Sequence, residues 1–257
     1  MSTKVTTDKK QKHPLIVFSG GMDSTYLLYC TLLTSDVYTC YFEANQGPSK
    51  IHAEHDARES IIRMLEQITG HRVIRDTIVT IPDVQTVIKD HWDKRHHQTV
   101  SKVPDKAWGQ SHQWLNALLY VSDVSKHSEI MMGYLSDDGL AQYYDSIIET
   151  WCLLQRTAKT TPVDLKFPLS VIPKENVFRR LPLEIQRATW TCELPVGDHI
   201  NGILKIVPCE NCGPCRTKAK EVFMWERMND RDYKNALEEA WATHQKKYGN
   251  DLGEPNG

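Results

Sequence analysis

The apolar residues near the start of the chain form short runs, each followed by a segment with helical spacing. The run "LIVF" (residues 15–18) precedes a predicted helix, and "VYTCYFE" (residues 37–43) precedes a second predicted helix over residues 51–69. The segments "RVIRDTIVTI" (residues 72–81) and "EIMMGYL" (residues 129–135) have the composition of two further strands. Short apolar strands that alternate with helices predict an α/β fold with a doubly wound parallel sheet.

The pattern changes after residue 160. Residues 161–186 contain four prolines and favour short elements, and helical spacing returns over residues 216–228 and 232–248. We therefore predict a disordered N-terminus (residues 1–13), an α/β domain (residues 14–160), a C-terminal cysteine-containing and helical region (residues 161–250) and a tail (residues 251–257).

Length and charge narrow the classes of protein that fit this pattern. The 257 residues suffice for one α/β domain with a small appendage, and the net charge of −2 gives no basic surface typical of direct nucleic-acid binding. No run approaches the roughly 20 apolar residues of a membrane span, and the first dozen residues lack the apolar segment of a signal peptide. The expectation is a soluble, cytoplasmic protein without a membrane partner.

The six residues after the first apolar run form a possible anion site. They are Ser19, Gly20, Gly21, Met22, Asp23 and Ser24. One interpretation is a tight turn into a helix that Asp23 or Ser24 would cap. The other is a phosphate site built from backbone N–H groups, two hydroxyls and the helix N-terminus, in which Asp23 requires a cation such as Mg²⁺ beside the phosphate.

This hexapeptide resembles the S-G-G-x-D-S loop of the PP-loop ATP pyrophosphatases, which split ATP into AMP and pyrophosphate. It matches neither G-x-x-x-x-G-K-S/T nor G-x-G-x-x-G. The resemblance implies that all six residues bind ATP as a substrate, and that Asp23 holds Mg²⁺.

Four of the seven cysteines lie within 24 residues of one another, namely Cys192, Cys209, Cys212 and Cys215. In a cytoplasmic protein such clustering indicates a metal rather than disulfides. Four thiolates at this spacing favour tetrahedral, structural Zn²⁺, with an iron–sulfur centre as the chemical alternative. The three other cysteines occur singly in apolar segments and are expected to be buried hydrophobes.

The hexapeptide and the cysteines together resemble the 7-cyano-7-deazaguanine synthase (QueC) family. Further similarity lies in "HAEHDARE" (residues 52–59), "GYLSDDGLAQYYD" (residues 133–145) and "FPLSVIPKENV" (residues 167–177). The resemblance implies that Lys174 is a catalytic residue, together with Asp23. It also nominates three residues for substrate binding, which are Asp138, Tyr144 and Asp145.

Several positions depart from the family pattern. "AWGQSHQWLN" (residues 107–116) stands where the family has V-P-G-R-N, and residues 43–46 replace its D-Y-G-Q. Ser146 stands where an arginine is expected, and the 16-residue loop from Glu193 to Pro208 is about twice the usual length. The departures concentrate where the substrate would be recognised.

The resemblance implies an ATP-dependent ligase that adenylates the carboxylate of 7-carboxy-7-deazaguanine and transfers the acyl group to ammonia, giving an amide and then a nitrile. The expected assembly is a homodimer. One alternative is a divergent enzyme of bacterial antiviral defence that joins a deazaguanine to a protein amine. Another is a non-catalytic module that binds nucleotide and zinc, which Asp23 disfavours because mere binding needs no metal-linked carboxylate. A tRNA thiolase is disfavoured by the lack of a basic composition.

Overall fold

The computed structural model of the protein describes residues 12–43, 47–80, 114–119, 121, 126–200, 203–216 and 218. Several predictions lie outside these residues. They are the disordered start before residue 12, residues 107–113 of the segment that departs from the family pattern, most of the predicted helix over residues 216–228, the predicted helix over residues 232–248, and the tail.

A five-stranded sheet forms the centre of the described chain. Its strands are β1 (Leu15–Val17), β2 (Val37–Glu43), β3 (Val73–Thr80), β4 (Glu129–Met132) and β5 (Asp164–Lys166). The spatial order is β3-β2-β1-β4-β5, and every neighbouring pair is parallel. The predicted doubly wound α/β fold is confirmed. The strand order reverses at β1, and ligands of such sheets bind beyond the carboxyl ends of the strands at that point.

Five α-helices in the described part of the chain surround this sheet. They are α1 (Met22–Leu32), α2 (Pro48–Thr69), α3 (Tyr144–Ala158), α4 (Lys174–Arg180) and α5 (Leu183–Ala188), and residues 114–119 are also helical. Helix α2 starts a turn earlier than predicted, because Gly47 adopts a φ of 90° and Pro48 favours the first helical turn. A 3₁₀ turn (Ala141–Tyr143) leads directly into helix α3.

Alternation along β1 divides the hydrophobic core into two layers. Ile16 and Phe18 pack with α1, α2, α4 and α5, whereas Leu15 and Val17 pack with residues 114–119 and α3 on the opposite face. A strand presents successive side chains to opposite faces, so a strand buried on both sides must be apolar throughout. That requirement explains the uninterrupted run before the loop at Ser19.

The predicted C-terminal region contributes to the same sheet and adds a hairpin. Strand β5 pairs with β4, and the antiparallel strands β6 (Val196–Ile200) and β7 (Ile203–Val207) connect Cys192 to Cys209. Across the residues described, none of the helices combines the length and apolar character required to cross a membrane.

Candidate functional site: a cavity beside a cysteine cluster

The loop between β1 and α1 is closed by its own serines. The Ser24 hydroxyl donates to the Gly21 carbonyl (3.2 Å) and lies 3.1 Å from the Ser19 hydroxyl, which accepts from the Gly21 N–H (3.3 Å). Helix α1 begins at Met22 with Gly21 as its N-cap and no side-chain cap. The predicted capping by Asp23 or Ser24 is therefore wrong, since both residues lie inside the first turn. The N–H groups of that turn have no acceptor within the helix and suit an anion.

Glycine is required at two places where other segments approach this loop. Gly20 has a φ of +80°, and a Cβ there would lie 2.8 Å from Cγ of Arg58. A Cβ on Gly133, just after β4, would lie 2.9 Å from Cα of Ser24. The loop is thus enclosed by α2 on one side and by the end of β4 on the other.

Gly20→Ala is expected to destabilise the protein and to abolish ATP use. The substitution combines a left-handed backbone, which costs about 1–2 kcal/mol, with an overlap on a buried side chain, which costs about 1–3 kcal/mol. Thermal unfolding and pyrophosphate release measure the two effects.

Gly70→Ala is the matched control for this prediction. Gly70 has a similar φ of +74° but open space around its Cα. The control should lose only the backbone contribution to stability and retain pyrophosphate release. Equal losses in both variants would contradict the close approach of Arg58.

Arg58 fixes the end of β1 from within α2. Its Nε donates to the Phe18 carbonyl (2.9 Å), its guanidinium pairs with Asp76, and it lies 4.5 Å from the centre of the Tyr41 ring. The side chain is almost fully buried. Arg58 therefore connects the end of β1 to strands β2 and β3 beneath the loop. The sequence analysis assigned it no role, although it belongs to the "HAEHDARE" segment.

Asp23 and Lys174 meet at the mouth of the loop. Lys174 Nζ lies 3.2 Å from Asp23 Oδ2, whereas Oδ1 of Asp23 is buried without a hydrogen-bond partner in the described part of the chain. Burial raises the pKa of Asp23, Lys174 lowers it, and the nearby carboxylate of Asp138 raises it. A buried, partly unpaired carboxylate oxygen next to an anion cradle fits a cation such as Mg²⁺.

A cavity of about 320 Å³ opens above these residues. The loop, the ends of β1, β2 and β4, and residues 190, 191 and 193 contribute to its walls. Asp138 lines this cavity, and its carboxylate accepts from the Leu135 N–H at 2.7 Å. Of the three residues predicted to bind substrate, Asp138 is the one that the structure places beside the loop.

The other two predicted substrate residues lie elsewhere. Tyr144 donates its hydroxyl to the Leu135 carbonyl (2.8 Å) and stacks on Phe167, and Asp145 is exposed in the first turn of α3. Neither residue is among the described residues that line the cavity.

Several lining residues were not predicted as site residues, and those that join neighbouring segments at this wall include Lys50, Glu54, Trp190 and Glu193. Lys50 Nζ lies 2.6 Å from Oε2 of Glu193, and the Trp190 N–H donates to the Gly20 carbonyl at 2.9 Å. These contacts join α2 to the chain segment that leads into the cysteine cluster. Of these four residues, Glu54 belongs to the family-like segment "HAEHDARE", so the sequence offered a basis for predicting it.

The four clustered cysteines come together as predicted. Their Sγ atoms all lie within 4.8 Å of one another. The Cys209 N–H donates to Sγ of Cys192 (3.2 Å), and the Cys212 N–H donates to Sγ of Cys209 (3.3 Å). Metal–sulfur bonds of about 2.3 Å in a tetrahedron fit within these separations. The cluster could therefore bind a metal ion.

Comparison with known protein families shows to which family this chain belongs. The profile described as "Queuosine biosynthesis protein QueC" matches residues 13–225. The chain belongs to the QueC family. The resemblance stated from the motifs is confirmed, and membership supports an ATP-using enzyme of the QueC type. A search of curated proteins gives no match.

Two solved structures resemble this QueC-family chain weakly. The U34-tRNA thiolase NcsA from Methanococcus maripaludis, with its 4Fe–4S cluster, has 14% identity and a TM-score of 0.42 over 95% of this chain and 76% of its own. A predicted subunit of tRNA methyltransferase from Methanocaldococcus jannaschii has 14% identity and a TM-score of 0.39 over 93% of each chain. Because both TM-scores are low, the family assignment rests on the QueC profile.

Proposed function

We propose that this QueC-family protein is an ATP-dependent ligase that forms a carbon–nitrogen bond. The carboxylate of 7-carboxy-7-deazaguanine attacks the α-phosphate of ATP, pyrophosphate leaves, and ammonia then displaces AMP from the acyl-adenylate. A second ATP-dependent round dehydrates the amide to the nitrile. The observation that supports this proposal is the Asp23–Lys174 pair beside the closed serine–glycine loop, at the point where the strand order reverses.

Each loop group has a defined task in the first step. The hydroxyls of Ser19 and Ser24 and the N–H groups at the start of α1 bind the departing pyrophosphate. Asp23 would hold Mg²⁺, which would supply positive charge beside the phosphates. Lys174 remains close enough to stabilise charge that accumulates on the phosphate oxygens.

We propose structural zinc for the cysteine cluster. Four thiolates in a closed set satisfy a tetrahedral ion without leaving a position for substrate. Zn²⁺ would fix Cys192 and Cys215, whose chain neighbours Glu193 and Pro214 line the cavity. The cluster would then stabilise one wall of the active site.

A protein amine is the second candidate for the acceptor. It is favoured by the family segments that this sequence lacks, V-P-G-R-N near residues 107–116 and D-Y-G-Q at residues 43–46. An ammonia-specific enzyme needs only a small protected pocket, whereas a protein acceptor needs an open approach. The activation chemistry is the same for both acceptors.

Incubation with ATP, Mg²⁺ and 7-carboxy-7-deazaguanine tests the proposal. AMP and pyrophosphate should form with the carboxylate and not with 7-deazaguanine, which lacks the reacting group. With ammonium supplied, mass spectrometry should then detect the amide or nitrile, whereas an adduct on an added protein would support the second acceptor. Absence of AMP with folded, metal-loaded protein would overturn both.

A further inference from the structure

We propose that Lys50 binds the carboxylate of the acyl substrate, and that the carboxylate of Glu193 occupies this position until the substrate displaces it. The inference rests on the proposed adenylation and adds the residue that recognises its second reactant.

The Lys50 amine is a buried cation held by carboxylates. Its Nζ lies 2.6 Å from Oε2 of Glu193 and 3.7 Å from Oε1 of Glu54. The Lys50 side chain is 10% exposed, whereas that of Glu193 is 58% exposed, and both line the cavity. An amine in this setting needs an anion beside it at all times, because an unpaired buried charge is costly.

Backbone contacts place this pair next to the nucleotide loop. The Glu54 carbonyl lies 3.4 Å from the position of a Cβ on Gly20, one helical turn from Lys50. From the other side, the Trp190 N–H donates to the Gly20 carbonyl, three residues before Glu193. A carboxylate bound to Lys50 would therefore be held beside the residues that bind the phosphates.

The reaction brings two anions together, and each requires a cation. Among the described residues that line the cavity, Lys50 and Lys174 are the two that carry a lysine or arginine side chain. Lys174 contacts Asp23 within the phosphate cradle, so it belongs to the triphosphate. Lys50 is then the cation left for the carboxylate, and without it that carboxylate would approach the phosphates against like-charge repulsion.

Glu193, rather than Glu54, is the group that can leave. Glu54 accepts a hydrogen bond from the Tyr41 hydroxyl and is buried in α2. Glu193 is largely exposed, so its side chain can turn into solvent at low cost. Replacing it by a substrate carboxylate exchanges one anion for another and leaves the charge beside Lys50 unchanged.

Steady-state kinetics of two variants test this assignment. Lys50→Met and Glu193→Gln should change the KM for the carboxylate in opposite directions. Lys50→Met should raise the KM for 7-carboxy-7-deazaguanine by about 10–100-fold, as expected for a lost charge-assisted hydrogen bond. Its KM for MgATP should stay within about twofold. Glu193→Gln should lower the KM for the carboxylate several-fold, because it removes the competing anion.

Lys166→Met is the matched control. Lys166 also pairs with a carboxylate at 2.6 Å, that of Glu129, but does not line the cavity. It should leave both KM values unchanged. Because Glu193 is exposed, its variant remains informative even if Lys50→Met folds poorly.

Three results would overturn the inference. A raised KM for MgATP with an unchanged KM for the carboxylate in Lys50→Met would assign Lys50 to the phosphates. A raised KM for the carboxylate in Glu193→Gln would show that the Lys50–Glu193 pair has a structural role. If the wild-type protein released no pyrophosphate with this carboxylate, the proposed function would fail first and the inference with it.

Discussion

Asp23→Asn is expected to reduce Mg²⁺-dependent pyrophosphate release by at least about 10²-fold while the protein stays folded. The substitution removes the negative charge that holds the cation beside the phosphates but keeps the size and shape of the side chain. Initial rates at saturating ATP, together with circular dichroism, measure the two parts of the prediction. Asp56→Asn is the control, since Asp56 lies exposed on α2.

The difference in stability between Asp23→Asn and the wild type should depend on pH. Burial raises the pKa of Asp23 in the folded protein, so ionisation of this group destabilises the fold as pH rises from below its unfolded pKa through its folded pKa. The Tm of metal-free Asp23→Asn, relative to wild type, should therefore increase across that window. Near wild-type turnover, or a Tm difference that does not change with pH, would contradict the role of Asp23 as a buried cation ligand.

Cys212→Ser is expected to release the bound metal and to lower the Tm by more than about 10 °C. Structural zinc contributes several kcal/mol to folding, and each kcal/mol corresponds to about 2–4 °C for a chain of this size. Elemental analysis and thermal unfolding measure both effects. Cys152→Ser is the matched control, because Cys152, which the sequence analysis expected to be buried, is a free, exposed cysteine on α3.

The metal analysis also separates the chemical alternatives. About one zinc per chain in the wild-type protein supports the proposed site. Detection of iron with acid-labile sulfide would instead identify the site as an iron–sulfur centre. A Cys212→Ser variant that keeps its metal and its Tm would show that the four sulfurs do not act as one site.

Local signals in the sequence predicted the sheet and the position of the serine–glycine loop after β1. Strands β1, β2 and β4 were apparent because buried parallel strands are apolar along their length, and the loop because glycines and serines follow β1 directly. Strand β3 lies at the edge of the sheet with none of its residues buried, and its β-branched residues made it apparent instead. Strand β5 was not predicted, because only Leu165 of its three residues is buried. Its place in the sheet depends on pairing with β4, which no local pattern encodes.

Contacts between distant parts of the chain could not be predicted. Lys50 and Glu193 are 143 positions apart and meet only because α2 and the segment after α5 both pack against Gly20. The cysteine cluster was predictable despite its own long loop, since the chemistry of four thiolates limits the alternatives. Motif similarity grouped Asp138 with Tyr144, yet the fold places only Asp138 in the cavity wall.

Oxygen-isotope transfer tests the central claim most directly. The enzyme is supplied with ATP, Mg²⁺, an amine acceptor and 7-carboxy-7-deazaguanine labelled with ¹⁸O in its carboxylate. If that carboxylate attacks the α-phosphate, one of its oxygens stays on phosphorus when the acceptor displaces AMP, so the AMP contains ¹⁸O. Unlabelled AMP, with the isotope remaining in the deazaguanine, would mean that water attacks ATP and that no acyl-adenylate forms.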